Sequence, residues 1–544
     1  KMNFNLMGSF QHRNSIDFNH LFRTWGMGFI STGFSFFLLY LSQPPSGFPE
    51  AAYFFTLPLI IWFYFSPSKK VVLVAVFLGG FLYHSFLIGW LRHVTFTGML
   101  LASVILTLYN LPWFLLAYRS LRIAIDSSFF VRLLLITGLA SSWVLIEWIR
   151  SLFSLGFPWC PLSVTQWERP AILQLVPYFG GWIVSFFLIF FNLCLSSYVY
   201  HLLVRRWKNR QSNYFSSLCP EFYICMAFFL AMLSPLFITN SNSKDTNFEK
   251  FKVGVCQPYL KDKWSGENIL THKRKLIEQT KLLSTLEPDL IVWPEASTPY
   301  PVNLDRDWIE KLSKDVDIPI LAGAIIRDEE LSYNAVAMIT PDKGLQGNWY
   351  AKRTLVPFGE YVPFPFSFLP GLSRMVGPVG HFTFGKTIHA FDAELENESK
   401  ISIFPLICYE DIFPSLISEI NAEMNSLLFV TTNDAWFGEE GCAEQHAAHS
   451  VIRALESGLP VLRCGNAGWS GWISPKGVVM DLLQDETGDI HFSGAKMFDV
   501  KVDEYTQTLY SRFGNFFVAL CVFFIIVQLY IFHKKVTASP NVTS

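Results

Sequence analysis

Charge is scarce in this sequence. Only 16% of its 544 residues are Asp, Glu, Lys or Arg, against about 25% in an ordinary soluble domain. Much of the chain must therefore face something other than water. The formal net charge is -2, with no basic excess to hold a nucleic acid. Paired-cysteine patterns are missing too: Cys160, Cys194, Cys219, Cys225, Cys256, Cys408, Cys442, Cys464 and Cys521 form no CxxC and no metal-ligand spacing. An odd, dispersed set argues against a disulfide framework, so at most one of these thiols needs a chemical explanation. No metal and no cofactor is expected.

What the chain has is apolar length. It is 51% hydrophobic, with 53 Phe. A bilayer crossing needs about 20 apolar residues, and such runs lie near 24–42, 51–66, 71–91, 97–118, 132–149, 179–203, 220–239 and 514–532. The second is short and broken by Pro58. Lys and Arg mark the cytoplasmic ends of short loops. With the N-terminus inside, that side collects Lys1, Arg13, Arg23, Lys69, Lys70, Arg119, Arg122, Arg132, Arg205, Arg206, Lys208, Arg210, Lys534 and Lys535. The other side has only Arg92, Arg150 and Arg169. The expectation is about eight transmembrane helices with both termini cytoplasmic. The first apolar run lacks a small-residue cleavage site, so it is expected to be kept as a span. Three units follow: a membrane bundle over 1–239, a soluble domain over 240–510 outside, and a last span with its tail over 511–544.

Between about 250 and 505 the composition becomes ordinary. FKVGVCQ (251–257), DLIVW (289–293), IPILAGAI (318–325), NAVAMIT (334–340), ISIFPLIC (401–408) and SLLFVTTN (426–433) have strand character. ENILTHKRKLIEQTKLLSTL (267–286) and AEQHAAHSVIRALESG (443–458) have helical spacing. Strands alternating with helices predict an α/β layered domain.

Three residues with chemistry fall at strand ends. Glu295 follows DLIVW and a Pro, Lys352 follows LQGNWYA, and Cys408 ends ISIFPLIC before YEDIFPSLISEI, which is expected to open a helix. Reactive groups in open α/β sheets gather beyond the carboxyl ends of strands. A thiol needs a base or a nearby positive charge to attack. Glu295 suits the base, and Lys352 suits an oxyanion or thiolate partner. Taken singly, each has a bland reading: a strand-end Cys is more often core, a Glu after WP a turn residue, a Lys a solvated charge.

The strings WPEAS (293–297), AKRTLVPFGEYVP (351–363), CYED (408–411) and NDAWFG (433–438) resemble the nitrilase superfamily. More closely they resemble its membrane-embedded branch, the apolipoprotein N-acyltransferases, for which LVPFGEYVP is the discriminating string. EWIRSLFSLGFPW (147–159) and RALESGLPVLR (453–463) are similar to further parts of that family. The resemblance implies a polytopic α-helical bundle joined to an αββα sandwich. It maps a Glu-Lys-Cys triad onto Glu295, Lys352 and Cys408. Glu360, Tyr409 and Glu410 become supporting groups, and Trp264 becomes a substrate-binding residue. CGNAGWSG (464–471) departs from the family pattern. Cys442 and Cys464 are expected to be structural.

By the same resemblance, Cys408 takes an acyl chain from a phospholipid as a thioester. The chain then passes to the α-amine of a diacylglyceryl-cysteine lipoprotein. The implied setting is the bacterial inner membrane, with the catalytic domain periplasmic, membrane lipids as neighbours and no nucleic acid; a monomer is expected. The aromatic residues of 355–384, including Phe358, Tyr361, Phe364, Phe366, Phe368, Phe382 and Phe384, would suit either a loop at the membrane interface or the α/β core. The alternative is a membrane-tethered nitrilase-type amidase or hydrolase using water. A transporter or scaffold is disfavoured, because Glu147 is nearly alone as an ionisable intramembrane residue.

Overall fold

A computed structural model describes residues 25–124, 127–152, 156–205, 219–238, 249–260, 268–364, 381–394, 400–422, 425–502 and 507–538. Trp264, Phe366 and Phe368 lie outside them.

Apolar runs became helices wherever length allowed. Among the described residues, five are long and apolar enough to cross a membrane: Lys69–Leu87, Phe96–Ala124, Phe129–Leu152, Trp182–Leu202 and Phe516–Lys535. Met27–Ser42 and Pro220–Leu233 are shorter apolar helices. The doubtful second run yields Leu57–Tyr64, only 8 residues with Pro58 in its first turn. At about 1.5 Å per residue that is too short to cross alone. Apolar side chains such as Ile30, Phe86, Phe523 and Ile526 point outward, as lipid contact requires. This is a membrane protein.

The remaining chain builds two six-stranded sheets. The first contains β1 (Glu249–Gln257), β2 (Leu290–Trp293), β3 (Ile320–Asp328), β4 (Leu331–Thr340), β5 (Gly344–Ala351) and β12 (Gly494–Val502), in the order β12-β1-β2-β3-β4-β5. The second contains β6 (Phe391–Glu394), β7 (Lys400–Ile407), β8 (Ser426–Thr432), β9 (Val461–Gly465), β10 (Gly471–Ile473) and β11 (Val479–Leu482), in the order β11-β10-β9-β8-β7-β6. Alternate strand residues of both sheets, among them Val253, Leu290, Leu321, Ile403, Leu427 and Phe429, pack face to face in one core. Helices Asn268–Ser284 and Asp307–Val316 cover the outer face of the first sheet.

The outer face of the second sheet is covered differently. Helix Cys442–Ser457 lies on it with every residue buried except Glu444. Its other side meets the membrane half, and bundle, helix and sheet face share one continuous core. The two halves are therefore packed together. The turn YEDIFPSLISEI departs from expectation: it forms a 3-10 turn, Cys408–Ile412, and a short helix, Pro414–Ile417. Pro414 and the hydrogen bonds made by Glu410 interrupt a continuous helix.

Candidate active site

Each of the three strand-end residues emerges at the carboxyl end of its strand, and the folding of the sheets brings them together. Lys352, immediately after β5, is 1% exposed. Its Nζ lies 3.2 Å from Glu295 Oε1 and 2.9 Å from Glu360 Oε1. Burial opposes its charge, but Glu295, Glu360 and Cys408 outweigh that and hold the ammonium well above the ordinary lysine range. Asn334, on β4, donates from Nδ2 to the same two carboxylates, at 2.7 and 2.9 Å. Sequence reasoning passed over it; the available signal was an Asn inside an otherwise apolar strand.

Glu295 sits on a tight turn. Ala296 has φ 47°, and Ser297 N–H and Oγ both donate to Gly323 O, at 2.7 and 2.8 Å. A Cβ on Gly323 would lie 2.4 Å from Pro294 O and 2.8 Å from Glu295 Cα. Only glycine lets β3 approach this turn so closely.

Cys408 directly follows β7, with φ 50°, a left-handed conformation that costs a side-chain-bearing residue about 1–2 kcal/mol. It is the one cysteine of nine that keeps partial exposure; the other eight, Cys442 and Cys464 included, are buried. Protein nonetheless surrounds the thiol. Burial, then the Glu295 charge, push it well above the ordinary range, against the pull of Lys352. The thiol is thus protonated at rest.

Glu410 holds the turn. Its carboxylate accepts from Ile407 N–H at 2.8 Å, Arg353 N–H at 2.6 Å, Thr354 N–H at 3.1 Å and Tyr350 O–H at 2.9 Å. It therefore ties the Cys408 turn to the segment after Lys352. Glu360 also accepts from Val356 N–H at 2.7 Å, which closes the loop between the lysine and itself. Tyr409 points toward the membrane half and stacks on Phe157, centroids 6.2 Å apart.

Of the aromatic residues near Glu360, Phe364 and Phe384 are exposed, while Phe358, Tyr361 and Phe382 are partly exposed. None of these five belongs to the core. The departing segment 464–471 has a clear role. Asn466 Nδ2 donates to Leu260 O at 2.7 Å and to Asn433 Oδ1 at 2.9 Å, and Tyr259 N–H donates to Asn466 O at 2.8 Å. It fixes the backbone that directly follows β1.

The membrane half reaches the site through the loop that EWIRSLFSLGFPW encodes. Glu147 is buried and accepts from Trp143 Nε1–H at 2.8 Å and Leu162 N–H at 2.7 Å. Arg150 donates from Nη2 to Phe157 O at 2.9 Å and Trp159 O at 3.0 Å. These two charged residues shape the loop that carries Phe157 and Trp159. Gln445, on the helix from the other half, closes the seam. Its Oε1 accepts from Trp90 Nε1–H at 3.0 Å and Trp159 Nε1–H at 2.7 Å. Its Nε2 donates to Pro44 O and Leu87 O, each at 3.2 Å.

Two family profiles match consecutive parts of the chain. The apolipoprotein N-acyltransferase N-terminal domain matches residues 35–194, and the carbon-nitrogen hydrolase family matches residues 252–494. Over most of its length the chain is thus similar to the apolipoprotein N-acyltransferases. Among relatives bearing that name, the protein of Rickettsia bellii is 29% identical over 408 residues, covering 73% of this chain and 76% of that one. The apolipoprotein N-acyltransferase 1 of Treponema denticola is 26% identical over 523 residues, 89% and 91% of the two chains. Among solved structures, a CN-hydrolase superfamily protein from Xanthomonas campestris has 16% identity and a TM-score of 0.34. It covers 46% of this chain and 91% of that one. The two matched regions are the two halves that meet at Gln445.

Proposed function

We propose that this chain transfers a fatty acyl group from a membrane phospholipid, through a thioester on Cys408, to the N-terminal α-amine of a diacylglyceryl-cysteine lipoprotein. Similarity to proteins named apolipoprotein N-acyltransferase supports the acyltransferase activity. The observation that carries the mechanism is the buried Lys352 between two carboxylates, beside the one partly exposed cysteine.

A protonated thiol requires that its proton leave as the sulfur attacks. Glu295 takes it while Sγ adds to the ester carbonyl. Lys352 and the backbone N–H of Tyr409 stabilise the oxyanion. On collapse the ester C–O bond breaks and Glu295 returns the proton to the departing lysophospholipid oxygen. In the second half the lipoprotein amine adds to the thioester carbonyl and gives up a proton to Glu295. The C–S bond then breaks, the thiolate recovers that proton, and the product leaves as an amide. Glu360 and Glu410 hold the lysine and the cysteine turn, and Trp264 contacts substrate.

Both substrates carry acyl chains, and each buried CH₂ favours lipid by about 0.8 kcal/mol. A site docked on a membrane bundle lets the chains stay in lipid. The accompanying topology is eight spans, the second made by Leu57–Tyr64 together with the preceding turn Pro49–Tyr53, with residues 1–239 as the N-terminal bundle, 511–544 as the last span and tail, and 240–510 on the periplasmic face. The exposed Phe364 and Phe384 dip into the interface, and the chain works as a monomer.

Mass spectrometry of a diacylated lipoprotein incubated with the full chain and phospholipid is the test. One added amide-linked acyl chain on the N-terminal cysteine is expected. Free fatty acid without that product would replace transfer by hydrolysis. The Glu295 turn gives a second expectation. Gly323→Ala should slow acylation of Cys408 about 100-fold, the scale of a 1 Å misplacement, in a protein that still folds. An unchanged rate in a stopped-flow burst would remove Gly323 from the account.

A further inference from the structure

We infer that His446, oriented by Asp434, is a positioning residue that holds the main-chain carbonyl of Cys408 and so fixes the left-handed turn aiming the thiol. The inference rests on the reading of Cys408 as the nucleophile.

The geometry is a short chain of contacts that the Glu-Lys-Cys scheme leaves unused. His446 Nε2 lies 3.1 Å from Cys408 O. Its Nδ1 lies 3.1 Å from Asp434 Oδ1. Thr432 Oγ1–H donates to Asp434 Oδ2 at 3.2 Å. All three side chains are at most 2% exposed. Ligating atoms of Cys408, Asp434 and His446 fall within 4.8 Å of one another, yet the ring faces the carbonyl through one nitrogen and the carboxylate through the other.

A carbonyl oxygen and a carboxylate can only accept. The contact with Cys408 O therefore requires an N–H at Nε2, so that nitrogen is not free to take the thiol proton. His446 acts on the backbone. Asp434 suits this pairing: burial would raise its carboxyl, but His446 and Arg463 with the hydrogen bond from Thr432 hold it below the ordinary range.

The turn needs such a hold. At φ 50° Cys408 would relax toward the right-handed or extended regions, and relaxation would swing both its carbonyl and its side chain. Glu410 grips the turn on the N–H side, at Ile407. His446 grips it on the C=O side. The ring itself is kept in place from the membrane half. The Trp159 indole lies 5.4 Å from it and also donates to Gln445, the preceding residue.

Three variants of the full-length protein in detergent separate this role from a packing role. His446→Gln keeps a donor near the Nε2 position, His446→Asn keeps one near Nδ1, and His446→Ala keeps neither. Single-turnover acylation by labelled phospholipid should fall at least about 30-fold for Asn and Ala, with donor KM within two-fold of the parent. For Gln it should fall no more than about five-fold. Asn acting as well as Gln, or losses appearing in KM, would overturn the assignment. If Asn and Ala fail to fold, Gln alone decides: a folded Gln variant that loses acylation sinks it. Mapping the label to Cys408 in the parent protein tests the nucleophile separately.

Discussion

Cys408→Ser is expected to abolish the acyl-enzyme while leaving the fold intact. A hydroxyl is a far weaker acid than a thiol, and at this site even the thiol stays protonated, because burial and the Glu295 charge raise it. Serine would have to lose its proton against the same two effects. Loss of a nucleophile of this kind costs at least about 10⁴-fold in the chemical step. Stability should move little, since the substitution is near isosteric and the residue is partly exposed. Labelled phospholipid, denaturing gels and a melting curve check both halves of this statement. Label retained on the serine variant would move the nucleophile elsewhere, and the eight buried cysteines offer no replacement.

Lys352→Met should damage stability as well as activity. Methionine fills nearly the same volume without the charge, so packing is largely kept. What changes is that Glu295 and Glu360, both within 3.2 Å of the lysine nitrogen, face each other across Asn334 without the ammonium. Breaking a buried pair from one side costs about 3–5 kcal/mol. The acylation rate should fall by about 10³-fold or more, from the lost oxyanion donor and from removal of the one nearby charge that favours the thiolate. The sign of the pH dependence follows. A lysine raised in the folded state contributes stability that is fully present below its unfolded value of about 10.4. It is lost only as pH climbs through the still higher folded value. Between pH 6 and 9 the parent protein should show no change in melting temperature from Lys352. A drop within that window would contradict the burial of the pair.

Much of this architecture can be read from the chain because its signals are local. Apolar runs mark helices regardless of partner, and Val- and Ile-rich runs ending at Glu295, Lys352 and Cys408 mark strand ends. The nature of helix Cys442–Ser457 is not local. Gln445, His446, His449, Arg453 and Glu456 give it the look of a helix with one wet face, yet the bundle covers that face and all five are buried. Three of them find partners hundreds of positions away: Gln445 meets Pro44, Leu87, Trp90 and Trp159, His449 Nε2 meets Cys160 N–H at 3.2 Å, and Glu456 accepts from Gly181 N–H at 2.8 Å. No window of sequence contains such pairs. The same holds for Glu147, which reads as an isolated intramembrane acid and proves to accept from Leu162 N–H, just past Cys160. Likewise β12 pairs antiparallel with β1 across more than two hundred residues, a pairing that its own composition does not announce.

The four hydrogen bonds of Gln445 also set an order of assembly. Synthesis delivers Pro44, Leu87, Trp90 and Trp159 long before residue 445, so two indole N–H groups and two carbonyls wait without their final partner while the first helices insert. Completion of the seam then depends on the second sheet presenting its covering helix. The turn at Cys408 is gripped from that helix, so the thiol gains its final orientation only as the seam closes. On the proposed mechanism, newly made chains would thus remain chemically silent until both halves have met.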